Sequence, residues 1–262
     1  MTVDRRNDAI ASKRRPILVT TSWDDGVQED MRIAEMLAER GMKGTFYACP
    51  DQGQSRPLTK VDMRQLRSMG MEIGAHTLTH PDLTRLPPDA MRAEIRGSME
   101  RLEDSLGEPV RSFCYPFGAH SSAVVDCVAE CGLSFARTTV AFRHGLSFDP
   151  LRAPVGVQAY AHSRSTHLRH ALKEGNVAGL LKWVMTCHGK VDPVDLTQAL
   201  AADTERHGGV LHIWGHSCEI DQFGMWPMLT AMLDALSAVP HAEYVNNHGL
   251  LPAQARGTAH GQ

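Results

Sequence analysis

No stretch of this chain approaches the roughly 18 consecutive apolar residues that a membrane-spanning helix requires, and no transmembrane segment is expected. No block of lysine and arginine is sustained, and the net charge is only −3. Neither nucleic acid nor an anionic membrane surface therefore has an electrostatic footprint in the chain as a whole. The first fifteen residues, MTVDRRNDAIASKRR, are polar and lack the apolar stretch of a secretory signal, so a cytoplasmic protein is expected. The six cysteines show no zinc-ribbon spacing, which points to reduced thiols instead. Repeats, low-complexity segments and linkers are also missing. Hydrophobic residues make up 42% and charged residues 22%, as in an ordinary globular chain. One domain is expected over residues 16–252, with a polar arm at 1–15, a helical insert at about 160–206 and a flexible tail at 253–262.

What the sequence does contain is a strand-then-helix rhythm. β-rich apolar runs at 17–22, 44–48, 71–75, 112–115, 134–137, 210–214 and 242–245 alternate with helical patterns, several of which stop at glycine. Parallel strands need crossover helices. The expected fold is therefore α/β, an irregular (β/α) barrel with seven or eight parallel strands. Residues 138–160 look loop-rich, and 165–206 read as helix, turn, helix. In such a barrel the chemistry belongs at the C-terminal ends of the strands.

Four motifs fall there. Trp23-Asp24-Asp25-Gly26 follows the first strand, and the repulsion of two adjacent carboxylates would be offset by a cation. The same residues also make a good Asx turn or helix N-cap, which is the better reading of this motif taken alone. His76 and His80 follow the third strand, and a His-x3-His spacing puts two imidazoles on one face of a helical turn. Two solvated surface histidines would show the same spacing. Phe113-x-Tyr115-Pro116-Phe117-Gly118 follows the fourth strand and reads equally as a plain turn. His212, Trp214 and His216 alternate onto one strand face. His212 suits a core position, whereas His216, past Gly215, suits a general acid. One carboxylate and two histidines leave coordination positions open for water and substrate, as a catalytic metal site requires.

In this order, Asp24-Asp25-Gly26, His76-x3-His80, Phe113-x-Tyr115-Pro116-Phe117-Gly118 and Leu211-x4-His216 resemble the polysaccharide deacetylase family, which shares the NodB-homology domain. The segment 214–220 looks closest to a cytoplasmic-type branch. The resemblance implies an amide hydrolase acting on an N-acetyl or N-formyl group of an amino sugar, free or carrier-linked. It implies Asp25, His76 and His80 as ligands of a divalent ion, Zn2+ first and Co2+ or another ion as alternatives. Asp24 would be the base that deprotonates the attacking water. The Phe117 N–H would stabilise the oxyanion, and His216 would protonate the leaving amine. Tyr115, Trp214 and Trp23 are expected to contact substrate.

Two departures stand out. The family often has an arginine where this chain has Cys114, so Arg111, Arg137 or Arg152 would have to orient the base; Arg137, past another strand end, is preferred. The family's aspartate–tryptophan motif has no match, leaving His144, Asp149, His162 and Glu219 as unranked partners for His216. Rival readings are a hydrolase of cyclic amides or ureides, an inactive carbohydrate-binding homologue and a structural zinc protein. The intact Asp25-His76-His80 set speaks against the first, and intact Asp24, Asp25, His76, His80 and His216 speak against the second. Three protein ligands are too few for the third. A homo-oligomer is an open possibility.

Overall fold

The computed structural model describes residues 15–251. The expected tail, Lys13, Arg14 and the rest of the arm before Arg15 lie outside the described residues. Strand β1 (Ile17–Asp25) is flanked in parallel by β2 (Gly44–Ala48) and β7 (Gly209–Gly215). The sheet continues through β3 (Glu72–Ala75), β4 (Ser112–Cys114) and β5 (Phe135–Arg137) on one side, and β6 (Val157–Gln158) on the other. The order is β5-β4-β3-β2-β1-β7-β6, and β8 (Glu243–Tyr244) pairs with the start of β1. All pairings are parallel. The sheet curls into an irregular barrel, and the gap between β5 and β6 is spanned by main-chain bonds between residues 136–143 and 153–156. Ala153 N–H reaches the Ala136 carbonyl at 2.8 Å, and Val155 N–H the Val140 carbonyl at 2.9 Å.

Helices α1 (Asp30–Ala38), α2 (Lys60–Ser68), α3 (Pro88–Leu106) and α4 (Ser122–Glu130) provide the first crossovers. Their limits follow local chemistry. Thr59 and Asp62 form a reciprocal capping box on α2. Pro88 opens α3, and Gly107, at φ 76°, closes it. The apolar faces of these helices bury Ile33, Leu37, Leu66, Ile95 and Val128 against the sheet.

Three differences from the sequence reading matter for the site. First, β1 runs on to Asp25 because its pairing with β2 persists to Asp25↔Ala48. Asp24 and Asp25 therefore end a strand instead of capping a helix; the α1 N-terminus has no side-chain cap, and the Asp30 and Met31 N–H groups bond instead to the Val27 (3.0 Å) and Gln28 (3.2 Å) carbonyls. Second, His76 and His80 do not lie on a helical turn. They sit in a loop with Thr77 at φ 66° and His80 at φ 63°. That loop is held by Glu94 of α3, which accepts the N–H groups of Leu78 (2.9 Å) and Thr79 (3.0 Å). Third, the insert has three helices, α5 (Arg164–Lys173), α6 (Val177–Met185) and α7 (Pro193–His207). The break between α5 and α6 is at Asn176, whose side chain caps the Gly179 N–H (2.9 Å) and donates to the Ala141 carbonyl (2.8 Å). α8 (Ser217–Gln222) and α9 (Trp226–Ser237) complete the chain's helices among the described residues.

Gly26 sets the exit of β1. Its φ is 71°, and a Cβ placed there would lie 2.8 Å from Ala48 Cα. Gly26→Ala is expected to cost about 2–4 kcal/mol of stability through left-handed strain and overpacking together, read as a lower urea midpoint of the full chain. An unchanged midpoint would show that the turn relaxes freely.

Candidate active site

The C-terminal strand ends converge as a barrel requires. β1 delivers Asp24 and Asp25, the loop after β3 delivers His76 and His80, and β4 leads into Tyr115–Gly118. β5 ends in Arg137, and β7 leads into His216. Asp24, His76, His80, Tyr115, Trp214 and His216 line one cavity of about 280 Å³. Trp23 does not. It is 0% exposed within the core, and its indole N–H donates to Thr21 Oγ1 at 3.1 Å. The expectation that Trp23 contacts substrate is thus corrected, because alternation along β1 turns it away from the mouth while Asp24 faces it.

Asp25 Oδ1 lies 3.9 Å from His76 Nε2 and 3.8 Å from His80 Nε2, and the two nitrogens are 3.2 Å apart. This Asp25 oxygen is buried without a hydrogen-bond partner. His76 Nδ1 is bonded to the Cys114 carbonyl at 2.8 Å, which fixes its ring and leaves Nε2 facing Asp25 and His80. Burial pushes His76 down to about 4, so it is a neutral donor at physiological pH. An orphaned carboxylate oxygen and two imidazole nitrogens aimed at one point fit a divalent ion. A second grouping, Asp24-His76-Cys114, is also close enough to share an ion. It fits less well, since burial pushes the Cys114 thiol well up and Asp24 is already engaged.

The partner of Asp24 is Arg137. Its guanidinium donates to Asp24 Oδ1, both side chains being buried. Arg137 also lies over the Trp214 ring, 4.7 Å from the centroid. Arg152 is instead paired with Asp149 at 2.6 Å. Cys114, at the position where the family often has arginine, lies 3.8 Å from Asp24 Oδ2. Burial opposes the charge of Asp24, but Arg137, His76 and His216 outweigh it and hold the carboxyl down at about 2. Asp24 is therefore ionised at neutral pH.

His216 faces Asp24 Oδ2 at 4.0 Å, and its Nδ1 is 3.1 Å from Glu219 Oε2. Of the four partners open to it, Glu219 is the one in contact, and the three-residue spacing within the first turn of α8 makes the contact local. Burial disfavours the imidazolium, yet the Glu219 hydrogen bond and the Asp24 and Asp25 carboxylates push His216 up to about 9. A carboxylate and an imidazolium with well-separated pKa values thus share one site, the arrangement that divides base and acid roles. His212 is buried deeper, bonded through Nε2 to Ser22 Oγ at 2.8 Å. Glu219→Gln removes the negative acceptor and weakens the imidazolium. The alkaline limb of the turnover profile is then expected to fall by roughly one pH unit, with the rate near pH 6.5 least affected. A limb that stays in place would detach Glu219 from His216.

Phe117 adopts φ 58°, and its N–H donates no hydrogen bond among the described residues. Its side chain is 67% exposed and sets an edge against His80, centroids 4.7 Å apart. The Tyr115 hydroxyl donates to the Leu151 carbonyl at 2.8 Å, so this tyrosine offers its ring and not its hydroxyl.

The sequence did not reveal the outer wall. His162, His167 and His170 gather at the mouth with ring centroids 5.7 Å (162–167) and 6.0 Å (162–170) apart. Their crowding within nine residues was the available signal, but it has no ligand spacing, and among the described residues they form no metal grouping. Glu94 was equally invisible, since it acts through the main chain of a loop.

Residues 11–136 match the sequence profile of the polysaccharide deacetylase family. Chitin deacetylase 1 of Cryptococcus neoformans is 32% identical over 115 residues, 43% of this chain and 24% of that protein. A chitooligosaccharide deacetylase of Azorhizobium caulinodans is 28% identical over 127 residues, 47% of this chain and 58% of that one. The chain thus spans a quarter to under two thirds of these two relatives. Among solved structures, the Xyl-CE4 domain of a multidomain xylanase from the hindgut metagenome of Trinervitermes trinervoides superposes with a TM-score of 0.57. It covers 92% of each chain at 16% identity, a likeness of fold. The strand-end motifs, the match over residues 11–136 and these relatives make the chain similar to the polysaccharide deacetylase family over about its first half.

Proposed function

We propose that the chain is a metal-dependent amide hydrolase that removes an acetyl group from the nitrogen of an amino sugar, with formyl as the alternative acyl group. The observation that carries this reading is the convergence of Asp25 Oδ1, His76 Nε2 and His80 Nε2 beside the Asp24–Arg137 and His216–Glu219 pairs. The names of the chitin and chitooligosaccharide deacetylases support the sugar acetamide. Asp25, His76 and His80 would hold the ion, which supplies charge stabilisation at the carbonyl oxygen and makes water more acidic.

The chain's own groups do the rest. Asp24, kept ionised and immobile by Arg137, accepts a proton from the attacking water as the new C–O bond forms. The Phe117 N–H donates to the oxygen on which negative charge builds. His216, protonated and held by Glu219, gives its proton to the sugar nitrogen as the C–N bond breaks. The products are a carboxylate and a free amine. Trp214 and the Tyr115 ring supply apolar walls on which a pyranose can rest. Cytoplasmic residence belongs to the same proposal and is supported by six unpaired cysteines; cell fractionation tests it.

The deciding experiment incubates the protein, reconstituted with zinc or cobalt, with N-acetyl and N-formyl amino sugars and their short oligomers. Release of acid and free amine in equal amounts supports the reading. Metal-loaded protein that binds such sugars without releasing either would make it a binding homologue.

A further inference from the structure

We infer that the α5–α6 hairpin is a docking surface for an anionic lipid membrane, placed so that the site opens toward the lipid surface. The two helices pack against each other. On α5, Leu168 and Leu172 are spaced i, i+4 and exposed; on α6, Val177, Leu181, Val184 and Met185 follow i, i+4, i+7, i+8 and are exposed too. Leu172 and Met185 are 69% and 73% exposed, in a fold whose other helices turn their leucines inward. Six large apolar side chains on two adjacent helices exceed the scattered exposure of ordinary surfaces.

The charge of the same segment chooses the partner. Residues 161–190 carry five Lys and Arg against one acid, Glu174, in a chain of net charge −3. The chain-wide balance that argued against an anionic surface conceals this local excess. Lys182 is neutralised by Asp203 at 2.9 Å and Lys190 by Asp195 at 3.3 Å; Lys173 is exposed beside Glu174, and Arg169 is exposed with no acidic partner among the described residues. Apolar side chains beside exposed cations are what an interfacial helix needs. A second copy of the chain is a poorer occupant, because a two-fold contact would set these cations against their own images.

The hairpin is also part of the site's entrance. His167, His170 and Lys173 of α5 line the cavity that ends at His80 and His216. Phe223, another exposed apolar ring, packs edge-on against Tyr160 at that mouth, 5.9 Å between centroids. An N-acyl sugar attached to a lipid would then enter directly from the membrane. That consequence rests on the deacylation reading; docking itself does not.

The test is co-sedimentation of the full chain with vesicles of phosphatidylcholine alone or mixed with phosphatidylglycerol. Partitioning at least about tenfold stronger to the anionic vesicles is expected, and it should weaken with salt. Leu172→Ser with Leu181→Ser should reduce binding about tenfold, and Arg169→Glu should reduce the anionic preference several-fold. All three positions are exposed, so the unfolding midpoint should hold. Failure to bind either vesicle overturns the inference. So does a dimer seen by light scattering that the leucine variant breaks while vesicle binding is absent, since the second copy would then be the occupant. Release of acetate from a water-soluble N-acetyl amino sugar, measured alongside, reports on the deacylation reading independently.

Discussion

Asp24→Asn is expected to lower turnover of an N-acetyl amino sugar by about 10²–10⁴-fold, the usual contribution of a positioned general base, while the bound metal remains. The asparagine oxygen can still accept from Arg137, so the local packing survives, but no group at that position can take a proton. The separation of the two readouts is the point. Asp25, His76 and His80 would hold the ion through other atoms, and His76 and His80 lie on another loop. Loss of metal along with activity would mean that Asp24 belongs to the ligand set, as the alternative Asp24-His76-Cys114 grouping would have it. Retention of activity would remove Asp24 from the chemistry altogether.

Arg137→Met is expected to reduce stability by about 3–5 kcal/mol, the cost of leaving one charge of a buried pair uncompensated. Arg137 and Asp24 are both buried, and the guanidinium has no second carboxylate. The sign of the pH dependence tests the cause. In the native chain Asp24 is held at about 2, below its ordinary value, so its contribution is present above about pH 4 and is lost as pH falls through about 2. Without Arg137, burial raises Asp24, and the folded state takes up a proton more readily than the unfolded one. The variant should then recover stability as pH is lowered from 8 toward 5, in metal-stripped protein. Asp24→Asn in the same chain should restore part of the loss, giving a measurable coupling energy. Equal destabilisation at every pH would point to lost packing instead of a stranded charge.

How much of this could be read beforehand depends on where each constraint resides. The strand–helix rhythm is local, and the parallel barrel follows from it. Asp24, Asp25, His76, His80 and His216 could be picked out because each falls at a strand end, a position that alternation and glycine stops mark in the sequence. The conformation carrying His76 and His80 could not. An i, i+4 spacing is compatible with a helical turn, and only the left-handed Thr77 and the brace from Glu94 decide for a loop. The choice of Arg137 over Arg111 and Arg152 rested on a strand end; what the structure adds is contact across 113 residues of sequence. Glu219 was one of four unranked partners for His216 because a contact within one helical turn is visible only once α8 is known to begin at Ser217. Trp23 was misjudged because it directly precedes two site residues: alternation turns it away from the mouth that Asp24 faces, and Asp25 reaches the site only through its left-handed backbone, φ 83°. The apolar face of α5 and α6 was concealed for a different reason: charge and apolarity summed over the chain average out what thirty residues concentrate.

Deacylation as proposed requires that Asp25, His76 and His80 form a metal centre. Elemental analysis of the purified chain after reconstitution with zinc or cobalt, beside Asp25→Ala and His80→Ala, tests this most directly when acid release is measured on the same samples. The expected result is about one divalent ion per chain in the wild type, from three protein ligands with open positions, and loss of both ion and turnover in each variant. A wild-type chain that stays metal-free, or variants that hydrolyse the amide at the native rate, would contradict it.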